Sequence, residues 1–273
     1  MNAIGTILRW ILTWGLALFV LLLLAWVMIT ASKTNGEIFA NPFGLPQTWS
    51  LDNLVQAWQV GGLGTAFLNS GIVAIVSVAL GLALACGVAY AITCIPFRGS
   101  SILYLAFAVG LGVPLQALII PTFLKMTDLG IRDSIWSLIL VYAVFSLPKA
   151  VFLLAAFMNE VSGELREAAA IDGAGHFRIF GRVVLPLVRP ALATVGIIEF
   201  IGAWNEYIYA SVLVTDPGSR TLPLGLASFQ SEYASSYGLV AAGIVISIIP
   251  VIVVYILFQR QVVEGLSSGA LKG

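Results

Sequence analysis

Long apolar runs constrain this chain more than any other feature of its sequence. They fall at roughly residues 10–30, 69–93, 101–124, 135–157, 187–212 and 238–259. Each run is close to the ~20 residues that an α-helix needs to cross the hydrocarbon core of a bilayer. Only 10% of the residues are charged, and the mean hydropathy is +1.02, which is too apolar for a water-soluble domain. The sequence therefore predicts an all-α, polytopic membrane protein with about six transmembrane helices, and a single transmembrane domain over residues 1–273.

The topology follows from the short loops. The first run, Ile11 to Thr30, is longer than the 7–15 residues of a signal-peptide core, so we expect it to remain as a spanning helix. Basic residues concentrate on the cytoplasmic side of membrane proteins. With the N-terminus inside, the inner set would be Arg9, Arg98, Arg166, Arg178, Arg182, Arg189, Arg260 and Lys272, and the outer set Lys33, Lys125, Arg132 and Arg220. This excess predicts that both termini are cytoplasmic. Residues 31–68 would then be external, and the helical spacing of Leu51, Leu54, Val55 and Trp58 predicts that this segment lies flat on the outer surface.

Several classes of function are disfavoured. Thirteen basic and thirteen acidic residues cancel, without a basic tract, so we expect no nucleic-acid binding. The chain contains no G-x-x-x-x-G-K-[ST] motif, and therefore no nucleotide site of that kind is expected. The single histidine, His176, has no cluster of metal-ligating residues near it in the sequence, so no metal site is predicted.

The polar loop, residues 158–186, interrupts the apolar pattern and carries helix signals. Ser162 can cap a helix, Glu164 suits the positive end of its dipole, and Gly173 can end it in a left-handed conformation. A second short helix is predicted from about Phe177 to Val183, with Pro186 ending it. Helices this short need a surface to pack against. Physical reasoning leaves two interpretations open, which are the membrane surface and a partner protein.

The spacing within this loop resembles a known signature. Glu167-Ala168-Ala169 is followed after three residues by Gly173, and after nine more by Val183-x-Leu185-Pro186. This pattern is similar to the EAA signature of ABC-importer permeases, with valine where that family usually has isoleucine. The ending from Glu264 to Gly273 resembles the tail of the second permease subunit of maltose-transporter-like carbohydrate importers.

The resemblance implies a set of partners and roles. It implies a bacterial plasma (inner) membrane location, two ATPase subunits that bind ATP and Mg, a second permease subunit, an extracytoplasmic solute-binding protein and a sugar substrate. No cofactor is expected on this chain. The loop helix would be a cytoplasmic coupling helix that docks on an ATPase subunit. Its coupling residues would be Glu167, Ala168, Ala169, Asp172, Gly173, Leu185 and Pro186.

Charged residues inside the apolar runs need partners or a function, because each costs about 2.5–3.5 kcal/mol at a helix centre. Glu199 and Glu206 would share one face of the fifth helix, roughly 10 Å apart, because they are seven residues apart. One interpretation makes Glu199, Trp204, Asn205 and Glu206 a substrate pathway that recognises sugar hydroxyls. The other interpretation is that these residues join helices, for example through Lys149, and both stay open.

The third run carries helix breakers, and other transport functions fit the same composition. Pro114 and Pro121, with Gly110 and Gly112, predict a broken helix, as at many transport sites and gates. Alternatives to sugar import are the same architecture carrying glycerol phosphate or polyamine, and an ion-coupled secondary transporter using the intramembrane carboxylates. A membrane enzyme would need a clustered catalytic site, which the sequence does not indicate.

Overall fold

The computed structural model describes residues 3–59, 62–231 and 236–270, and that part of the chain is helical, without β-strands. The helices are α1 (Ala3–Ala31), α2 (Asn35–Ala40), α3 (Asp52–Gln59), α4 (Leu63–Cys94), α5 (Ser100–Gly110), α6 (Ile119–Asp128), α7 (Ile135–Asn159), α8 (Gly163–Ile171), α9 (His176–Ile179), α10 (Leu185–Leu187), α11 (Arg189–Trp204), α12 (Ile208–Leu213), α13 (Leu222–Ser231) and α14 (Tyr237–Ala270). Short 3₁₀ turns cover Leu115–Leu118 and Pro217–Ser219, and a π turn covers Phe180–Val184.

Four of these helices are long and apolar enough to cross a membrane, namely α1, α4, α7 and α14. Two further spans are bent pairs. One joins α5 to residues Leu115–Asp128 at 92°, and the other joins His176–Leu187 to α11 at 75°. The described residues therefore hold four spans made of a single helix, or six spans if each bent pair counts as one, which confirms the polytopic helical prediction.

The third span is broken, but by only one of its two prolines. Helix α5 ends at Gly110, and the chain turns through Pro114 into the 3₁₀ turn that precedes α6. Gly110 permits close packing there, because a Cβ atom would lie 3.2 Å from the Pro148 ring on α7. Pro121 lies in the first turn of α6, where its missing N–H costs nothing, so the expectation that Pro121 breaks the helix was wrong.

The fifth span is also interrupted, which the sequence pattern did not predict. Helix α11 ends at Trp204 and α12 begins at Ile208, so Glu206 lies in the break. The expectation of one helix over 187–212, with Glu199 and Glu206 on a common face, was therefore wrong. The carboxylate of Glu206 accepts hydrogen bonds from the N–H groups of Tyr209 and Ala210 at 2.8 and 3.1 Å, and so caps the start of α12.

The second helix of the polar loop runs further than predicted. Helical turns continue from His176 to Leu187, and Pro186 lies inside them. The π turn explains this tolerance, because the Leu185 N–H donates to the Phe180 carbonyl, five residues earlier. The wider turn relieves crowding where a proline would otherwise disrupt the helix, so the expectation that Pro186 ends the helix was wrong. The chain instead bends at Val188.

The chain divides into two compact units. One comprises residues 1–67 and 224–250, and the other residues 68–223 and 251–273. The second unit has a core in which α4, α7, α11 and the polar loop meet, and alanine supplies many of its contacts. Ala85, Ala89, Ala150 and Ala155 are all fully buried there. Small side chains let helix backbones approach closely, which is how helices associate where water does not drive their packing.

Candidate functional site

The first helix of the polar loop, α8, has the two caps that its sequence predicts. The Ser162 hydroxyl accepts the Glu164 N–H at 3.2 Å, and Gly173 adopts a left-handed φ of +76° just beyond the last turn. A non-glycine side chain is strained in that conformation. The predicted helix with a glycine stop is therefore confirmed, and Asp172 is its C-cap residue.

Much of the surface of α8 and the following turn is open. Glu167, Ala168, Asp172 and Gly173 are exposed, whereas Ala169 is half-buried against the core of the second unit. Large apolar side chains point outward beside them, with Ile171 87% and Phe177 94% exposed. Apolar side chains this exposed on a polar loop indicate an interface with a protein or with the membrane surface. Leu185 and Pro186 are half-buried at the base of the loop, so they support its packing.

The loop is attached to the end of α4 by side chains that the sequence analysis did not single out. The Tyr90 hydroxyl donates to the His176 carbonyl at 3.1 Å, and the Tyr90 ring packs on the Phe180 ring at 4.9 Å. The Arg166 guanidinium donates to the Thr93 carbonyl at 3.4 Å. These contacts join residues more than seventy positions apart, which no local pattern reveals. A force on the loop would thus reach α4 directly.

A cavity of about 280 Å³ lies in the second unit, between α4, α7, α11, α12 and the first 3₁₀ turn. Its lining is partly polar. The lining residues are Ser77, Val78, Leu115, Gln116, Tyr142, Phe145, Ser146, Lys149, Glu199, Gly202, Ala203, Glu206, Ile208 and Tyr209. Mixed hydroxyl, amide and aromatic side chains of this kind suit a small polar molecule that is held by hydrogen bonds.

Both carboxylates of the cavity have partners. Glu199 is buried on α11, and its Oε1 lies 3.3 Å from the Nζ of Lys149 on α7. Glu206 accepts the Tyr142 hydroxyl in addition to the two N–H groups of α12. Paired in this way, charged groups are tolerated in a low-dielectric site. The Lys149 contact matches the interhelical interpretation for Glu199, and the same two residues also line the cavity.

The other two predicted pathway residues lie elsewhere. Trp204 is buried and stacks on Phe200, with 5.8 Å between ring centroids. Asn205 is exposed, and its amide donates to the Ile201 carbonyl at 3.0 Å. Neither residue lines the cavity. The cavity instead includes Gln116 and Tyr142, whose polar groups within apolar runs were the signal that could have identified them.

A second cluster fixes the segment between α12 and α13. The Asp133 carboxylate accepts the N–H of Thr215, the hydroxyl of Thr215 at 2.8 Å and the N–H of Asp216 at 2.8 Å. The Asp133 N–H donates to the Leu213 carbonyl at 2.9 Å. Hydrogen bonds from the Asp216 and Thr215 N–H groups lower the pKa of Asp133, because they favour its charged form.

Two side chains at the start of α4 hold the next part of this segment. The Asn69 amide donates to the carbonyls of Gly218 and Arg220 at 2.8 and 3.0 Å. The Ser70 hydroxyl accepts the Leu222 N–H at 2.7 Å. Residues 215–222 are therefore held by Asp133 at one end and by α4 at the other. The chain then continues as α13, and residues 232–235 lie outside the described residues.

Comparison with known proteins is consistent across most of the chain. Residues 83–264 match the family model for the binding-protein-dependent transport system inner membrane component. The diacetylchitobiose uptake system permease protein NgcG of Streptomyces coelicolor is 35% identical over 264 residues, which is 96% of this chain and 87% of that protein. The arabinooligosaccharides transport system permease protein AraQ of Halalkalibacterium halodurans is 32% identical, covering 98% of both chains.

A solved structure is similar over nearly its whole length. It is a bacterial ABC transporter involved in the import of the acidic polysaccharide alginate, with a TM-score of 0.79 and 26% identity, covering 94% of this chain and 96% of that chain. A second alginate transporter structure has a TM-score of 0.63 at 14% identity, covering 95% of this chain and 94% of that one, which supports the fold alone.

Proposed function

Because this chain belongs to the family of binding-protein-dependent transport system inner membrane components, we propose that it forms one half of an alternating-access pathway for a sugar or oligosaccharide. The chain is a transmembrane permease subunit of an ABC importer, and it works with a second permease, a solute-binding protein and separate ATPase subunits. ATP and Mg would bind to those ATPase subunits.

Carbohydrate is the favoured cargo because of the relatives that match over nearly the whole chain. Their names specify diacetylchitobiose at 35% identity, arabinooligosaccharides at 32% and trehalose at 32%. These ligands share many hydroxyl groups and little charge. The cavity fits that chemistry, since Gln116, Ser146 and Tyr209 offer neutral polar groups. Glu199 is ion-paired with Lys149, and the Glu206 carboxylate is hydrogen-bonded within the chain.

The coupling step would start at α8. Closure of the ATPase dimer would push on the exposed surface around Glu167 and Ala168, with Ile171 and Phe177 filling an apolar part of the same interface. The contacts of Tyr90 and Arg166 would pass that movement to α4, and the buried core would pass it to α7 and α11. The cavity lies between these helices, so their rotation would open it to one side or the other.

The orientation and the pathway remain part of this proposal. Both termini and α8 would lie in the cytoplasm, and residues 1–273 would act as one transmembrane domain. Glu199 and Glu206 would shape the cavity, while Trp204 and Asn205 would meet substrate or the second permease only if the broken span moves during transport. The experiments below distinguish sugar import from the three alternatives, which are polyamine transport, glycerol-phosphate transport and ion-coupled transport.

The coupling proposal is tested with Glu167→Ala in the complete importer reconstituted with its ATPase and binding protein. We expect weaker co-purification of the ATPase and a loss of most ligand-stimulated ATP hydrolysis, because a carboxylate at a protein interface supplies specificity through a charged partner. Glu164→Ala is the matched control on the same exposed helix, outside the signature, and should change little. If both variants keep wild-type binding and stimulation, the docking role of Glu167 is wrong.

The cargo proposal is tested by measuring which ligand the partner binding protein carries. A mono- or oligosaccharide supports it, and a polyamine or glycerol phosphate contradicts it. Uptake by this chain alone in vesicles with an ion gradient would instead support the secondary-transporter alternative.

A further inference from the structure

In the segment that follows α1, a charged side chain is buried and large apolar side chains are exposed, which is the reverse of the usual arrangement in water. Lys33 is its one basic residue up to position 51, yet only 1% of Lys33 is exposed. Its Nζ donates to the carbonyls of Asn41 and Pro42 at 3.0 and 3.3 Å. Lysine is almost never fully buried unless its ammonium group has such partners, because that group is strongly hydrated.

The one acidic residue in the same stretch is also satisfied internally. The Glu37 carboxylate accepts the N–H groups of Thr34 and Gln47, both at 2.8 Å, and the Thr34 hydroxyl at 2.9 Å. From residue 38 to residue 51 no side chain is charged. Glu37 is therefore the one charged side chain that this segment leaves partly exposed, and its carboxylate is hydrogen-bonded within the segment.

Large apolar side chains occupy the outside instead. The most exposed are Phe39, Phe43, Leu45, Trp49 and Leu51, with Phe43 85% and Leu45 72% exposed. A contiguous apolar surface of this kind marks an interface with protein or membrane. Tryptophan and other aromatic residues are enriched where membrane meets water, because their apolar rings carry or adjoin polar groups.

The segment also folds back along α1. The Trp26 indole N–H donates to the Pro42 carbonyl at 3.1 Å, and the Phe43 ring stacks on Trp26 with 6.0 Å between centroids. Trp26 lies five residues before the end of α1 at Ala31, or roughly 7–8 Å along the axis. The exposed apolar surface is thus continuous with that of α1, a helix of membrane-spanning length and composition whose most apolar stretch is not buried in this chain.

Helix α3 adds a groove to this surface. The groove is open, has a volume of about 500 Å³ and lies within the unit of residues 1–67 and 224–250. Its lining consists of Leu51, Leu54, Val55, Trp58, Gln59, Phe67, Ile246 and Ile249. An ordered water needs two to four polar partners, and the only polar side-chain groups in this lining are the Gln59 amide and the Trp58 indole N–H. Ile246 and Ile249 belong to a membrane-spanning helix, so we expect the groove to face lipid hydrocarbon.

We propose that residues 38–59 form an interfacial platform that binds lipid in the leaflet at the C-terminal end of α1. The aromatic side chains lie at headgroup level, and an acyl chain enters the groove beneath α3. Lys33, Asn53 and Glu37 hold the platform rigid from within, since the Asn53 amide donates to the carbonyls of Ala31 and Lys33 at 2.9 and 2.8 Å. This proposal depends neither on the identity of the cargo nor on the coupling of α8 to the ATPase. Each of the three proposals can therefore fail without the other two.

The test uses nitroxide labels in the complete importer in lipid nanodiscs, with Cys86 and Cys94 replaced by alanine. Phe43→Cys and Val55→Cys place labels on the apolar surface, and Gln56→Cys is the matched control on the exposed polar face of α3. We expect the labels at positions 43 and 55 to be accessible to oxygen and shielded from a water-soluble nickel chelate, whereas the label at position 56 should meet the chelate.

Three results would overturn the platform. Nickel access at positions 43 and 55 would place them in water, and low access to both reagents would mean that the second permease covers them. A change in access on adding the binding protein would make that protein the occupant. The groove is tested with a fluorophore at Ile249→Cys, which acyl-chain nitroxides should quench. Quenching by headgroup nitroxides alone, or by neither kind of lipid, would contradict an acyl chain there.

Discussion

Asp133 combines an unusual backbone conformation with a concentrated set of hydrogen bonds. Its φ is +66°, the one positive value at a non-glycine residue in the part of the chain that the structure describes. Aspartate tolerates this left-handed region better than most residues, but such conformations persist only where the surroundings stabilise them. The contacts to Leu213, Thr215 and Asp216 provide that stabilisation.

The lowered pKa of Asp133 predicts how this contact depends on pH. A folded-state pKa below the unfolded value of ~3.9 adds stability above that value, and the added stability is lost as the pH falls through the folded pKa. Asp133→Asn keeps the shape and removes the charge. We expect the variant to melt at a lower temperature than the wild type by a constant amount from about pH 8 to pH 5. The difference should shrink only below about pH 4.

The measurement is the melting temperature of the purified importer across that pH range. A difference that already disappears between about pH 7 and pH 5 would contradict a lowered pKa at Asp133. Lys33 is stabilised in a related way, because carbonyl groups of its own loop replace water around its buried ammonium group.

At the scale of a single element, the stability of helix α8 depends on the residue that ends it. Gly173 and Gly175 both have open space around the position of a Cβ atom, but only Gly173 has a positive φ, since φ of Gly175 is −72°. Gly173→Ala should therefore cost about 1 kcal/mol through backbone strain alone. Gly175→Ala introduces no such strain and should cost less, through the weaker N-cap preference of alanine alone.

This comparison is made by ligand-stimulated ATP hydrolysis and by proteolysis of the loop in the complete importer. Strain of this size changes a local equilibrium roughly fivefold, so the loop of Gly173→Ala should be cleaved faster and coupled less well. Equal behaviour of the two variants would show that the left-handed stop is unimportant for coupling.

At the scale of the whole molecule, the pair Lys149–Glu199 joins two spans beside the cavity. Removing one partner leaves the other charge uncompensated in the membrane, which is worse than removing both. We expect Lys149→Met and Glu199→Gln each to lower the melting temperature more than the double variant does. Because 44% of the Lys149 side chain is exposed, the coupling energy should be only about 1 kcal/mol.

The double-mutant cycle is measured on the assembled importer, together with sugar uptake. Additive effects of the two substitutions would show that the pair contributes no coupling. Uptake tests the cavity independently, because a neutral cargo should tolerate the doubly neutral lining better than either single variant.

The amino-acid sequence by itself determined the membrane class, most of the spans, the capped helix α8 and the break after Gly110. These features depend on local patterns, namely apolar run length, cap residues and the positions of proline and glycine. The EAA-like spacing also indicated the family, which the comparisons confirm.

Tertiary structure alone decided where the fifth span breaks, which residues line the cavity and how the buried charges are paired. Glu206 meets Tyr142 from 64 positions away, and Asp133 meets Thr215 from 82 positions away. The same carboxylate can continue a helix or cap a new one, and local propensity does not distinguish the two. The choice is made by distant hydrogen-bond partners, because a buried polar group in a membrane is stable only where such partners are present.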